Sequence, residues 1–157
     1  MKESFNEATL LRPKGTRSLD SALVSFDLVS FIEQIREEKQ WKESDRNAIT
    51  IYKSNGLRIV LVALHTGAEL IEHSAKGRIS VQVLEGQLLF HTEERSVELY
   101  KGQMLVLHEG ISHSVKAKQE SVFLLTLTTS LPENASIIQL AVEKFSVSRQ
   151  SNENKIF

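Results

Sequence analysis

The middle of the chain alternates short apolar runs with turn residues. Six of its seven glycines (Gly56, Gly67, Gly77, Gly86, Gly102 and Gly110) fall there, mostly 8 to 11 residues apart. Val, Ile, Leu and Phe fill the gaps. Gaps of that length fit strands and leave no room for full helices between them, so the pattern predicts an all-β sandwich or barrel. The run AITIYKS, then Asn55-Gly56, then LRIVLVALH predicts a hairpin, because Asn-Gly accepts the positive φ angles of a two-residue turn. The second run is apolar at nearly every position, which predicts a strand covered on both faces. Further strands are predicted at 70–75, 78–84, 87–92, 95–100, 103–107, 112–118 and 121–128, with turns at Glu85-Gly86 and Lys101-Gly102.

The ends of the chain read differently. The first 20 residues are mixed and polar, with Pro13 and Gly15, and read as an arm. Leu28, Phe31, Ile32 and Ile35 recur at helical spacing, which predicts a helix from Leu28 to about Gln40 with one apolar stripe. Asp27 is the expected N-cap, and Ser30 with Glu33 has capping-box spacing. The stripe must cover something, either the β domain itself or a partner. Trp41 follows and reads as packing. After Pro132, SIIQLAVEKFS predicts a short C-terminal helix. The division is 1–47 for arm and helix, 48–130 for the barrel and 131–157 for a C-terminal extension.

Strand alternation assigns faces, since successive side chains point to opposite sides. Ile79, Val81 and Val83 share the inward face of 78–84 against Ser80 and Gln82. His113, Val115 and Ala117 share the inward face of 112–118. Ile71, His73 and Ala75 share a face of 70–75, so His73 is expected to point inward beside His113. His91 reads as a surface residue. His65 ends a doubly apolar strand and its direction is open, and His108 precedes Glu109-Gly110 in a loop. Two inward histidines raise the question of a divalent metal, because neutral imidazole is a common ligand. The alternative is a pair of core histidines that are neutral and hydrogen-bonded.

Charge and composition remove several classes. The net charge is −1, so a basic nucleic-acid surface is not expected, and aromatic residues make up only 6%. No cysteine is present, which excludes a disulfide framework, a thiolate metal site and a cysteine nucleophile. No apolar run approaches the roughly 18 residues of a membrane span, and the first residues carry no signal-peptide core. A cytoplasmic protein with no membrane partner is expected. No phosphate-binding glycine loop and no Gly-x-Ser-x-Gly elbow is present.

Residues from about 50 to 128 resemble a small single-domain cupin. The first cupin motif runs Gly, five residues, His-x-His, three or four residues, Glu, six residues, Gly. Gly67, His73 and Gly86 fit it. The second runs Gly, five residues, Pro-x-Gly, two residues, His, three residues, Asn. Gly102, Gly110 and His113 fit it. The stretch SVQVLEGQLLF is similar to the family's central hairpin. The resemblance implies a double-stranded β-helix barrel, a jelly-roll relative. It also implies a homodimer, and in many members a divalent metal on three histidines and a glutamate. Only His73 and His113 match those ligands here. Ala75 stands at the second histidine, Ile79 at the glutamate, His108 at the proline and Ala117 at the asparagine.

Three functions follow from this reading. The first is a non-enzymatic cupin that binds or senses a small molecule in an apolar pocket lined by His73, His113, Ile79, Val81, Val83, Val115 and Ala117, with no cofactor. The second is a metal-dependent dioxygenase or isomerase that uses His73, His113 and a third ligand such as His65 or His108. The third is a regulatory dimer module that docks a partner through its N-terminal region.

Overall fold

The computed structural model describes residues 3–6, 12 and 17–129. The expected C-terminal helix lies outside the described residues. The barrel is built from nine strands: β3 (Arg46–Ser54), β4 (Leu57–Leu64), β5 (Glu69–His73), β6 (Arg78–Glu85), β7 (Gln87–Thr92), β8 (Ser96–Tyr100), β9 (Met104–Leu107), β10 (His113–Ala117) and β11 (Ser121–Thr128). They form two antiparallel sheets, one in the order β3-β4-β11-β6-β9 and one in the order β5-β10-β7-β8. Their inner faces meet in a core that includes Val62, Leu64, Val81, Val83, Leu88, Phe90, Val115 and Phe123.

The Asn55-Gly56 hairpin forms as expected. Ser54 pairs with Leu57, and Gly56 takes a φ of 86°. The other glycine turn after 78–84 is different. β6 and β7 belong to opposite sheets, so Glu85-Gly86 is a corner where the chain crosses the sandwich rather than the turn of a hairpin. Gly86 has a φ of 84°, and a Cβ there would collide with the carbonyl of Glu120. Ser121, fully buried, ties the same corner: its hydroxyl accepts from the Gln87 N–H at 3.0 Å and donates to the Gln119 carbonyl at 2.7 Å. Gly102 N–H donates to the Val83 carbonyl at the same end. Corners and ties close this end of the barrel.

The helical region is two helices, not one. α1 spans Leu28–Glu37 and α2 spans Lys39–Glu43, with Glu38 extended between them. Asp27 caps α1 by accepting from the Val29 and Ser30 N–H groups. The Ser30 hydroxyl turns back to Asp27 at 2.7 Å, so the expected Ser30–Glu33 capping box does not form. The break at Glu38 has a visible cause. Its carboxylate receives Arg12 at 2.7 and 2.9 Å and Asn47 at 2.8 Å, a set of donors outside the helix. Burial pushes the Glu38 carboxyl up, but the hydrogen bonds from Arg12, Asn47 and Gln34 outweigh it and hold it below the ordinary 4.5.

The apolar stripe of α1 is occupied by the protein's own barrel. Ile35 is fully buried, and Leu28, Phe31 and Ile32 pack with it against Ile49, Ile51, Leu61, Ala63 and Val122 on the outer face of the five-stranded sheet. This explains why β4 is apolar at nearly every position: one face meets the barrel core and the other meets the helices. The stripe therefore gives no motive for docking a partner there. Trp41 belongs to α2, is buried in the same cluster, and stacks on His65 at 3.5 Å between ring centroids.

The N-terminal segment contains a two-stranded pairing, β1 (Ser4–Asn6) with β2 (Arg17–Asp20). Arg12 and Arg17 donate to backbone carbonyls of the edge strand β3: Arg12 to Ala48 at 2.8 Å, Arg17 to Ile51 at 2.9 Å and to Thr50. An edge strand exposes unpaired carbonyls, and the guanidinium groups satisfy several of them. Among the described residues, no helix is long and apolar enough to cross a membrane.

Candidate functional site

The end of the barrel opposite the glycine corners carries the histidines. Four features meet there: the Asn55-Gly56 hairpin, the end of β11, the 74–77 connection from β5 to β6, and the 108–112 loop from β9 to β10. Gly110 N–H donates to the Ala75 carbonyl at 2.9 Å, and Thr129 N–H to the Gly56 carbonyl at 3.1 Å, joining these loops. His73 closes β5 and His113 opens β10, and the two are register partners.

The phase of β5 differs from the expectation. Leu70 is buried and Ile71 is 46% exposed, so Ile71 points outward. The register of β5 against β10 then shifts: Val115 faces Leu70, but His113 faces His73. One extra residue on β5 forms a bulge, which resets the alternation. His73 turns inward because of the bulge, and Ala75 follows it to pack against the core. Simple alternation from Leu70 would have sent His73 outward.

His73 and His113 meet edge to face, with ring centroids 4.3 Å apart, and His113 stacks on Phe90 at 5.1 Å. In each case Nδ1–H donates to the carbonyl two residues earlier, His73 to Ile71 at 2.6 Å and His113 to Ile111 at 2.9 Å. A carbonyl only accepts, so Nδ1 carries the proton and Nε2 is the acceptor in the neutral ring. Burial lowers the pKa of both rings from the ordinary 6.5. The backbone hydrogen bonds oppose the shift, and His113 lowers His73 further. The shift favours the neutral ring at both positions.

The other expected residues sit as follows. Ile79 lies at the same end, paired with Leu107 and Leu127 on its two sides. Val81, Val83, Val115 and Ala117 are buried deeper in the core, packed with Leu88, Phe90, Leu99 and Phe123 as a floor beneath the histidines. His65 is far from the pair in role: its Nε2 donates to the Trp41 carbonyl at 3.0 Å and its Nδ1 lies 3.8 Å from Glu120. His108 is exposed in its loop, and His91 is exposed with Nδ1 2.7 Å from the Ser96 hydroxyl. Among the described residues no group of three or more His, Cys, Asp or Glu is placed to hold a metal ion. Among the described residues the donors at this end are two imidazoles, and Ala75 and Ile79 beside them carry no ligating side-chain atom. A resident divalent cation, which usually takes three or four protein ligands, does not fit these residues.

Sequence reading missed one polar side chain. Arg58 stands in the apolar run of β4 and has the same parity as Val60, Val62 and Leu64, which face the core. Its Nη2 donates to the Thr50 hydroxyl at 2.9 Å, and its Nε and Nη1 are buried. Its parity was readable in the sequence, but the apolar character of the run masked it.

No family model matches this sequence, and no curated protein matches it. Solved structures do. A conserved protein of unknown function from Streptococcus pyogenes is 27% identical over 59% of this chain and 80% of its own, with a TM-score of 0.53. A cupin-2 domain containing protein from Shewanella frigidimarina is 18% identical over 66% of this chain and 93% of its own, with a TM-score of 0.55. A cupin superfamily protein from Desulfitobacterium hafniense is 16% identical over 56% and 81%, with a TM-score of 0.54. Two antiparallel sheets closed into a barrel, glycine corners at one end and two facing histidines at the other, together with these likenesses, make the fold of this chain that of a cupin.

Proposed function

We propose that this protein is a non-enzymatic cupin that binds or senses a small molecule at the histidine end of its barrel. The observation that carries the reading is the pairing of two neutral imidazoles with apolar residues at the neighbouring inward positions, Ala75 and Ile79. An apolar recess with one or two oriented hydrogen-bonding groups is the usual make-up of a small-ligand site. The two rings are the polar groups that would orient a ligand there. The nearby Ser112 hydroxyl is engaged elsewhere, donating to Glu72 at 2.6 Å.

Two measurements test the reading together. Elemental analysis of untagged protein, before and after incubation with zinc, iron, nickel or copper, is expected to give far less than one metal per chain. Stoichiometric metal that is lost in both His73→Ala and His113→Ala would replace this proposal with a metal enzyme. A thermal-shift screen of small metabolites is expected to find compounds that raise the melting temperature, since a ligand at 100 times its Kd stabilises by about 2.7 kcal/mol. No shift from any compound would remove the binding function.

A further inference from the structure

The Asn55-Gly56 turn lies at the histidine end and has no part in the function proposed above. Of the chain's asparagines, only Asn55 is followed by glycine. It is exposed at the tip of the β3–β4 hairpin, where Ser54 pairs with Leu57. Among the described residues, the Gly56 N–H donates no hydrogen bond and the Asn55 side chain makes none. Gly56 also has no Cβ to shield its nitrogen. Asn47 is the contrast within the same chain. It is buried, its Nδ2 donates to the Ile35 carbonyl at 3.0 Å and to Glu38 at 2.8 Å, and its Oδ1 accepts from the Ala48 N–H at 2.9 Å. Its side-chain amide is held at both ends, and the nitrogen that follows it is occupied.

We propose that Asn55 is a site of spontaneous covalent modification, at which the turn converts to isoaspartate and the histidine end loosens. The Gly56 nitrogen attacks the Asn55 Cγ, and its proton leaves with the side-chain amide as ammonia. The product is a cyclic imide. Water then opens the ring at either carbonyl. One opening leaves an ordinary aspartate. The other leaves an isoaspartate, whose backbone runs through the former side-chain methylene. The net change is one water taken up and one ammonia released, with no oxidant and no cofactor. Either product adds a negative charge. The isoaspartate also adds a carbon to the backbone of a two-residue turn. Loop length fixes the register of a hairpin, so the Ser54–Leu57 pairing is disturbed. The Gly56 carbonyl accepts from the Thr129 N–H at 3.1 Å, so the disturbance reaches the end of β11.

The test incubates the full chain at mildly alkaline pH and follows it by peptide mapping. The expected result is a mass gain of about 1 Da on the peptide that holds Asn55, while the peptide that holds Asn47 keeps its mass. Both aspartyl and isoaspartyl forms are expected at position 55, because only the cyclic route yields the second. Asn55→Gln is expected to remove the gain, since its longer side chain closes the ring far less readily. The isoaspartyl protein, separated by chromatography, is expected to melt below the fresh protein. Asn55→Asp, which adds the charge but keeps the ordinary backbone, is expected to melt close to it. The mapping uses the unaltered chain and stands even if Asn55→Gln fails to fold. No gain at Asn55, or a gain as fast at Asn47, overturns the proposal. Aspartate without isoaspartate overturns attack by Gly56, and isoaspartyl protein that melts with the fresh protein overturns the loosening.

Discussion

Two imidazoles buried at the barrel mouth bind protons less readily than they would in the unfolded chain, because burial disfavours the charged ring. The consequence for stability has a definite sign. Well above about pH 6.5 the rings of His73 and His113 are neutral in both states and add no pH dependence. As pH falls below that value, the unfolded chain takes up protons before the folded protein does, so stability falls. The decline ends once pH passes the lowered folded values. Urea midpoints are expected to drop between pH 7 and pH 5.5, and the double variant His73→Gln/His113→Gln is expected to show a shallower drop. An unchanged slope in that variant would place the titration elsewhere. At this scale the sequence was partly legible. His113 could be assigned inward because Val115 and Ala117 share its parity. His73 reached the same face by a bulge, which depends on pairing with β10 and leaves no mark in the strand's own pattern.

Elements owe their positions here to faces that two neighbours share. β4 is sandwiched between the barrel core and α1, and Ile35 is the fully buried anchor of that contact. Truncation of Ile35 to alanine is expected to cost about 2–5 kcal/mol, by lost transfer energy and a residual cavity. Denaturant unfolding checks it, and a loss below about 1 kcal/mol would mean that the helix is only loosely seated. The corner at Gly86 is a different constraint. A side chain there must adopt a positive φ and collide with the backbone of β11's approach. Gly86→Ala is expected to destabilise by more than about 1 kcal/mol, whereas Gly67→Ala, which meets only open space, costs less. Melting of the two variants side by side measures the difference. The strand boundaries were visible in the glycine spacing. The split of the helix at Glu38 was not, because it is made by Arg12 and Asn47, residues 26 and 9 positions away.

On the scale of the whole molecule, the arm and the helices decorate opposite needs of one sheet. The helices cover its outer face, and Arg12 and Arg17 occupy the carbonyls of its β3 edge. The paired substitution Arg12→Ala/Arg17→Ala is expected to speed proteolysis within the first 20 residues while the barrel still melts cooperatively. Equal protease resistance would mean that these contacts do not hold the arm. The resemblance to cupins implies a homodimer, for which light scattering is expected to give twice the chain mass. A single-chain mass would limit the protein to one barrel acting alone.

The sequence by itself determined the β class, the strand positions, the apolar stripe of α1 and the glycines of the two cupin-like motifs. These are local properties: periodicity, turn chemistry and residue size act over a few positions. It also determined that Ala75 and Ile79 cannot ligate a metal, since side-chain chemistry needs no fold. Tertiary structure alone decided three things: that Glu85-Gly86 turns a corner between sheets, that the helical stripe is covered by the chain's own barrel, and that a bulge in β5 sets His73 against His113. Each depends on which distant segment pairs with which, and pairing between strands far apart in the chain is set by the packing of the whole core.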